Sequence, residues 1–216
     1  MKKVAVILAG CGIMDGSEVH ESTCSLLAIR EADCEYTCFS FDKEQPVVFN
    51  HKTKEEIKQS RNMMAEAGRI ARLRINDIKT LNVDDFDILW IPGGRGTGYN
   101  LCSYFIDGDN YSVEPDLEKV IKEFHKQNKP ICALCLAPLV LNKVLKNIKI
   151  TVGNDEIISK MINNSGNIHI NTETENICVD ENNKIISSPC YMLTRDIKVV
   201  YNEATKILNK AIELSL

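Results

Sequence analysis

The chain has 216 residues, 44% of them hydrophobic and 26% charged, with a formal net charge of -4. That length fits one α/β domain over residues 1–216, with a core large enough to need no metal or disulfide. Mild acidity gives no ground for a nucleic-acid partner or an anionic membrane, and no run of about 18 apolar residues predicts a membrane-spanning helix.

Val4 to Ala9 is a fully buried strand, closed by Gly10-Cys11-Gly12. It follows Met1-Lys2-Lys3 as a signal-peptide core would, but it is short and Asp15, Glu18 and Glu21 come soon after, so a first strand is the reading. A helix is predicted from near Asp15 to about Ala32, a strand over Glu35 to Phe41, and a loop over residues 42–53. A helix from about Lys54 to Arg72 and a strand near Arg74 to Leu81 follow. Asp87 to Ile91 is a buried strand ending in Pro92-Gly93-Gly94. Residues 95–112, rich in Gly, Asn, Asp and Tyr, form an ordered functional loop. Glu114 to Gln127 is a helix with Pro115 in its tolerant first turn. Pro130 to Leu134 is a strand, and Leu136 to Leu145 a helix. Beyond lie a strand near Ile148, a helix near Asp155 to Ile162 and a strand near Ile168. A hairpin then pairs Asn176 to Asp180 with Lys184 to Ser187, and a final helix starts near Arg195. Alternating strands and helices imply a mostly parallel sheet covered on both faces, with ligands beyond the carboxyl ends of the strands.

Pro130-Ile-Cys-Ala-Leu-Cys-Leu-Ala-Pro138 runs from an apolar strand straight into a helix, with Cys135 at the junction. Small residues at 133 and 137 suit the tight turn of a nucleophile elbow. A thiol at a helix N-terminus meets exposed amides and the helix dipole, which favour thiolate. A buried core cysteine is the competing reading. Cys132 and Cys135 make a C-x-x-C, but three strand steps span roughly 10 Å, too far for a disulfide, and no second pair completes a zinc site. Nine cysteines without framework spacing, several within apolar runs, point to a reducing, cytoplasmic setting.

Glu18 and Glu21 share a helix face. Asp15 with Glu18 has the spacing of a capping box, which makes Glu18 structural. Glu21, one turn deeper, is open to two readings, a solvated surface residue or an acid at the strand ends. Among the histidines at 20, 51, 125 and 169, His125 falls on a polar helix face. His169 lies in a late strand, as a satisfied strand residue or an approach to the site. Gly93 and Gly94 end a strand where exposed amides, with that of Leu136, can bind an oxyanion.

Assembled, these residues resemble the ElbB family, named for enhancing lycopene biosynthesis, a branch of the PfpI and class I glutamine amidotransferase-like superfamily. The likeness rests on Val-Ile-Leu-Ala-Gly-Cys-Gly (6–12), Asp-Gly-Ser-Glu-Val-His-Glu (15–21), Arg61-Asn62, Ile-Pro-Gly-Gly (91–94), Asn100-Leu101, Cys-Leu-Ala-Pro (135–138), Val-Asp-Glu-Asn-Asn-Lys-Ile (179–185) and Ser-Pro-Cys-Tyr-Met-Leu (188–193). It implies a flavodoxin-like three-layer α/β/α sandwich, a homodimer, and a nucleophile elbow at Cys135 with Glu21 as its acid partner. The departures are informative. Leu136 stands where PfpI proteases have histidine, His169-Ile-Asn171 where amidotransferases have His-x-Glu, and Lys149 to Asn154 holds none of the histidine that assists related glyoxalases. Proteolysis and glutamine hydrolysis are disfavoured.

What the resemblance implies is a weak, glutathione-independent glyoxalase acting on glyoxal or a similar small dicarbonyl. Cys135 and Glu21 are its catalytic pair, the amides of Gly94 and Leu136 its oxyanion donors, and Glu18 and His169 accessory groups, with no metal or organic cofactor. The alternative is a non-enzymatic stress or regulatory protein that uses Cys135 as an oxidation sensor and is linked to isoprenoid metabolism.

Overall fold

The computed structural model describes residues 1–216. In chain order its strands and helices are β1 (Lys3–Ile7), α1 (Val19–Glu31), β2 (Glu35–Ser40), α2 (Met63–Ile70), β3 (Ile75–Asp77), β4 (Ile88–Ile91), α3 (Tyr104–Asp107), α4 (Pro115–Lys126), β5 (Ile131–Leu134), α5 (Pro138–Val144), β6 (Lys149–Ile150), α6 (Glu156–Asn164), β7 (Ile168–His169), β8 (Cys178–Asp180), β9 (Ile185–Ser188) and α7 (Ile197–Leu214). Seven strands form one sheet in the order β3-β2-β1-β4-β5-β9-β8. All neighbours in it are parallel except the β8–β9 hairpin. This is the mostly parallel, doubly covered sheet expected from the alternation of elements, and the flavodoxin-like α/β sandwich that the family resemblance implies.

The central strands carry continuous apolar runs because both their faces are covered. Val4 to Ile7, Ile88 to Ile91 and Ile131 to Leu134 are all fully buried. Burying each large side chain contributes about 1.5–3 kcal/mol, which is what commits these short runs to the middle of the sheet. Helices α1 and α7 pack together on one face with α2 beside α1, and α4 with α5 lies on the other. The chain reverses its direction of sheet growth between β1 and β4, which opens a crevice at their carboxyl ends. No helix is long and apolar enough to cross a membrane.

Several predicted boundaries move, each for a local reason. The first helix starts at Val19, because Glu18 rather than Asp15 is its cap. Asp15 instead turns inward, 1% exposed, and its carboxylate accepts the Phe49 N–H at 2.6 Å. The helix predicted over 54–72 is only Met63–Ile70, capped by Asn62. The preceding residues are held in irregular pairing, Phe49 with Glu56 and Glu44 with Asn62. The strand predicted near 74–81 shrinks to β3, since the Asp77 carboxylate caps a 3-10 turn at once. The segment 95–112, read as a loop, contains a π-helical turn at Thr97–Leu101, then α3 and a further 3-10 turn. The strands near Ile148 and Ile168 pair with each other outside the main sheet.

Candidate active site

Cys135 has φ 55, the left-handed region that a non-glycine residue enters only under constraint. The constraint is visible on both sides. Its N–H donates to the Ser188 carbonyl of the neighbouring β9 at 2.8 Å, and the next turn is closed by Ala137 N–H to Leu134 O, also 2.8 Å. Pro138 then opens α5, where its missing donor costs nothing. The strand-to-helix elbow predicted from the spacing of small residues is present. The thiol is 6% exposed, and the amides of Gly94 and Leu136 both reach its sulfur.

Glu21 comes from the first turn of α1. The Glu18 N–H donates to Gly93 O at 2.9 Å, which ties the helix start to the end of β4. The Glu18 carboxylate accepts the Glu21 N–H at 2.7 Å. So placed, the Glu21 side chain is fully buried. One of its oxygens accepts the Gly93 N–H at 3.1 Å and the other the Tyr191 N–H at 3.3 Å, and it also bonds the Cys135 thiol. A side chain at 93 is impossible in this arrangement, for a Cβ there would lie 2.4 Å from Cys135 Cβ and 2.6 Å from Glu21 Oε2. Gly94 follows with φ 104, which turns its amide toward the sulfur.

Burial, then the nearby Glu18 charge, pushes the Glu21 carboxyl up to about 8, against the pull of the Tyr191, Cys135 and Gly93 donors. Burial also pushes the Cys135 thiol well up, and the Glu21 charge adds to it, while the Gly94 and Leu136 amides draw it back. The expected bias toward thiolate at a helix N-terminus is thus outweighed by desolvation. Both shifts favour the protonated forms, the carboxylic acid and the thiol.

The other predicted residues separate. Glu18 lies at the site as the helix cap and not as a second acid. His169 accepts the Val152 N–H on Nε2 at 3.1 Å, a satisfied strand histidine. His125 bonds Asn183 Oδ1 at 3.2 Å instead of facing only solvent. His20 sits at the rim, with Nδ1 2.8 Å from the Tyr191 hydroxyl. Tyr191 and Ser188 were missed as site residues, although both lie in the Ser188–Leu193 motif. No group of three or more His, Cys, Asp or Glu side chains is placed to hold a metal ion. A concavity of about 910 Å³ lies at the amino ends of β1 and β2 beside Lys3, Tyr36 and Arg74, and shares no residue with Cys135 and Glu21.

Residues 2–192 match the DJ-1/PfpI family. The human glutamine amidotransferase-like class 1 domain-containing protein 3, mitochondrial, is 32% identical over 99% of this chain and 83% of its own length. A crystal structure of an isoprenoid biosynthesis protein with amidotransferase-like domain from Ehrlichia chaffeensis is 34% identical, with a TM-score of 0.91 over 98% of this chain and 99% of that one. Glyoxalase III from Candida albicans, 17% identical with a TM-score of 0.64 over 99% and 97%, shares the fold.

Proposed function

We propose, from the premise that this chain belongs to the DJ-1/PfpI family, that it is a cofactor-independent glyoxalase of small dicarbonyls. The observation that carries this reading is a fully buried carboxyl, pushed up to about 8, in contact with the thiol at the elbow. A general acid-base that both gives and takes a proton near neutrality suits the isomerisation of a hydroxy-aldehyde unit.

The steps balance without an oxidant. The Cys135 sulfur adds to one aldehyde carbon of glyoxal, and its proton passes through Glu21 to the new oxygen, giving a hemithioacetal. Glu21, its own proton released to water, then removes as carboxylate the proton from the carbon bonded to sulfur, forming an enediol; it returns that proton to the adjacent carbon, whose oxygen takes up a proton as the first carbon's hydroxyl loses one. The first carbon is now a thioester and the second an alcohol, so one is oxidised as the other is reduced. Water cleaves the thioester, which frees glycolate and restores the thiol. The amides of Gly94 and Leu136, already directed at the sulfur, stabilise the oxyanion of each tetrahedral species.

The test is steady-state conversion of glyoxal to glycolate. Turnover lost by a factor of about 10² or more in both Cys135→Ala and Glu21→Gln supports the mechanism. A wild-type rate no greater than that of Cys135→Ala refutes it.

The same reading takes the protein to act as a homodimer in the cytoplasm. All nine cysteines are free, which suits a reducing compartment. Light scattering decides the first point against the monomer mass of 24.3 kDa, and fractionation decides the second against the mitochondrial placement in the human relative's name.

A further inference from the structure

Glu203 is a carboxylate on α7 with no exposed surface, and it belongs to none of the groups that touch the thiol. One oxygen accepts the Glu175 N–H at 2.8 Å. The other accepts the Cys190 N–H at 2.8 Å and the Ser188 hydroxyl. Its hydrogen-bonding partners are thus neutral donors, two of them on a single turn. That turn is strained, for Cys190 has φ 44, which a non-glycine residue holds only where its surroundings fix it. Buried, directional acceptance of its N–H is such a fixing contact.

The turn serves the candidate site twice. Ser188, at its start, gives its carbonyl to the Cys135 N–H. Tyr191, at its end, gives its N–H to the Glu21 carboxylate. Between them stand Pro189 and the strained Cys190, whose geometry sets the distance between those two contacts. Helix α7 lies past residue 192, where the family match ends, so this support comes from outside the matched residues.

We propose that Glu203 is a positioning residue, whose carboxylate holds the Ser188–Tyr191 turn so that it supports the Cys135 elbow and the Glu21 carboxyl together. The proposal rests on reading Cys135 and Glu21 as a working pair, but not on which substrate they act upon. Glu203→Asp draws the carboxylate back by roughly 1.5 Å, one carbon–carbon bond. Glu203→Gln keeps an oxygen against the Cys190 N–H if its amide nitrogen turns to the Glu175 side, so it is the conservative control.

The measurement is the titration of the Glu21 carboxyl by carbon-13 NMR, its signal assigned by loss in Glu21→Gln, alongside the melting temperature. In Glu203→Asp the Tyr191 N–H retreats from Glu21, and the midpoint should rise by roughly half a unit to one unit, the effect of one lost amide donor. In Glu203→Gln the midpoint should stay at the wild-type value while the melting temperature falls. A melting temperature lowered equally in both variants with an unmoved Glu21 midpoint means that Glu203 only anchors α7, and overturns the proposal. If Glu203→Asp does not fold, Ser188→Ala, which removes one of the two ties to the turn, should raise the midpoint in the same direction, and no rise overturns it. Dicarbonyls are absent from the assay. A protein inactive on glyoxal leaves this result intact, and an unmoved midpoint leaves the glyoxalase reading intact.

Discussion

Glu18 holds Glu21 by its backbone and repels it by its charge. The Glu18 carboxylate accepts the Glu21 N–H at 2.7 Å, and the same negative charge is the second cause, after burial, of the raised Glu21 carboxyl. The two effects separate by substitution. Glu18→Gln retains the capping acceptor and removes the charge, so the Glu21 midpoint should fall below its value of about 8 with little loss of stability. Glu18→Ala removes both and should cost about 1 kcal/mol in chemical denaturation, as for other lost caps. Carbon-13 titration and urea melts of the two variants check the pair of outcomes.

Glu21→Gln should change how stability depends on pH. The folded carboxyl titrates at about 8 against an ordinary 4.5, so the folded state keeps a proton that the unfolded chain releases. The stability this contributes is complete below 4.5 and is lost as pH rises through about 8. Wild type should therefore lose melting temperature relative to Glu21→Gln between about pH 5 and about pH 8. At the upper end the variant should match or exceed wild type, because a buried carboxylate has been replaced by a neutral amide of the same shape. Parallel slopes would contradict the raised carboxyl.

The cysteines should react in a fixed order. Cys11 is the one that is not buried, and iodoacetamide should label it first. Of the C-x-x-C pair, Cys135, 6% exposed, should be labelled before Cys132, which has no exposed surface in β5. The Cys135 rate should be low at neutral pH and climb steeply in alkali, since burial and Glu21 both raise its thiol. In Glu21→Gln the Coulombic part of that increase is gone, and labelling should begin at lower pH. Peptide mass analysis over time gives all three rates, and equal labelling of Cys132 and Cys135 in the folded protein would refute the elbow's accessibility.

Gly93→Ala should be far more damaging than an added methyl group suggests. The new Cβ meets Cys135 Cβ, Glu21 Oε2 and the Leu134 carbonyl, at 2.4, 2.6 and 2.7 Å; the first and last are fixed to backbone, and only the end of the Glu21 side chain can give way. A loss of about 1–3 kcal/mol is expected from overpacking alone. Glu21 must also move away from the sulfur, so dicarbonyl turnover should be lost even where the variant remains folded by circular dichroism.

The elements that could be read from the sequence are those whose signal is local. Val4 to Ala9, Ile88 to Ile91 and Pro130 to Leu134 are apolar without interruption because both faces of the sheet are covered, and Cys135 stands between small residues because its turn is tight. Asp15 misleads because Asp-x-x-Glu has the spacing of a capping box whether or not the chain uses it, and burial against Phe49 takes it elsewhere. Residues 54–62 contain helix-compatible Glu and Lys but are held by pairing with the 44–49 segment, a tertiary contact with no local mark. Tyr191 and Glu203 were beyond reach for the same reason. Tyr191 meets Glu21 across 170 residues of sequence, and only folding brings a late turn to the first helix.

The pairing of β5 with β9 also governs the order in which the protein becomes whole. During synthesis the Cys135 elbow emerges before Ser188, Tyr191 and Glu203 exist. Until they arrive, β5 is an open edge, the Cys135 amide lacks its carbonyl, and nothing from the Ser188–Tyr191 turn helps to shield the thiol. A nascent chain thus passes through an interval in which a sulfur buried in the finished fold is an ordinary exposed one. An oxidant that reaches it then leaves a bulky polar group where α7 and its turn must later dock. Damage during manufacture, rather than in the finished molecule, is the hazard that this connectivity creates.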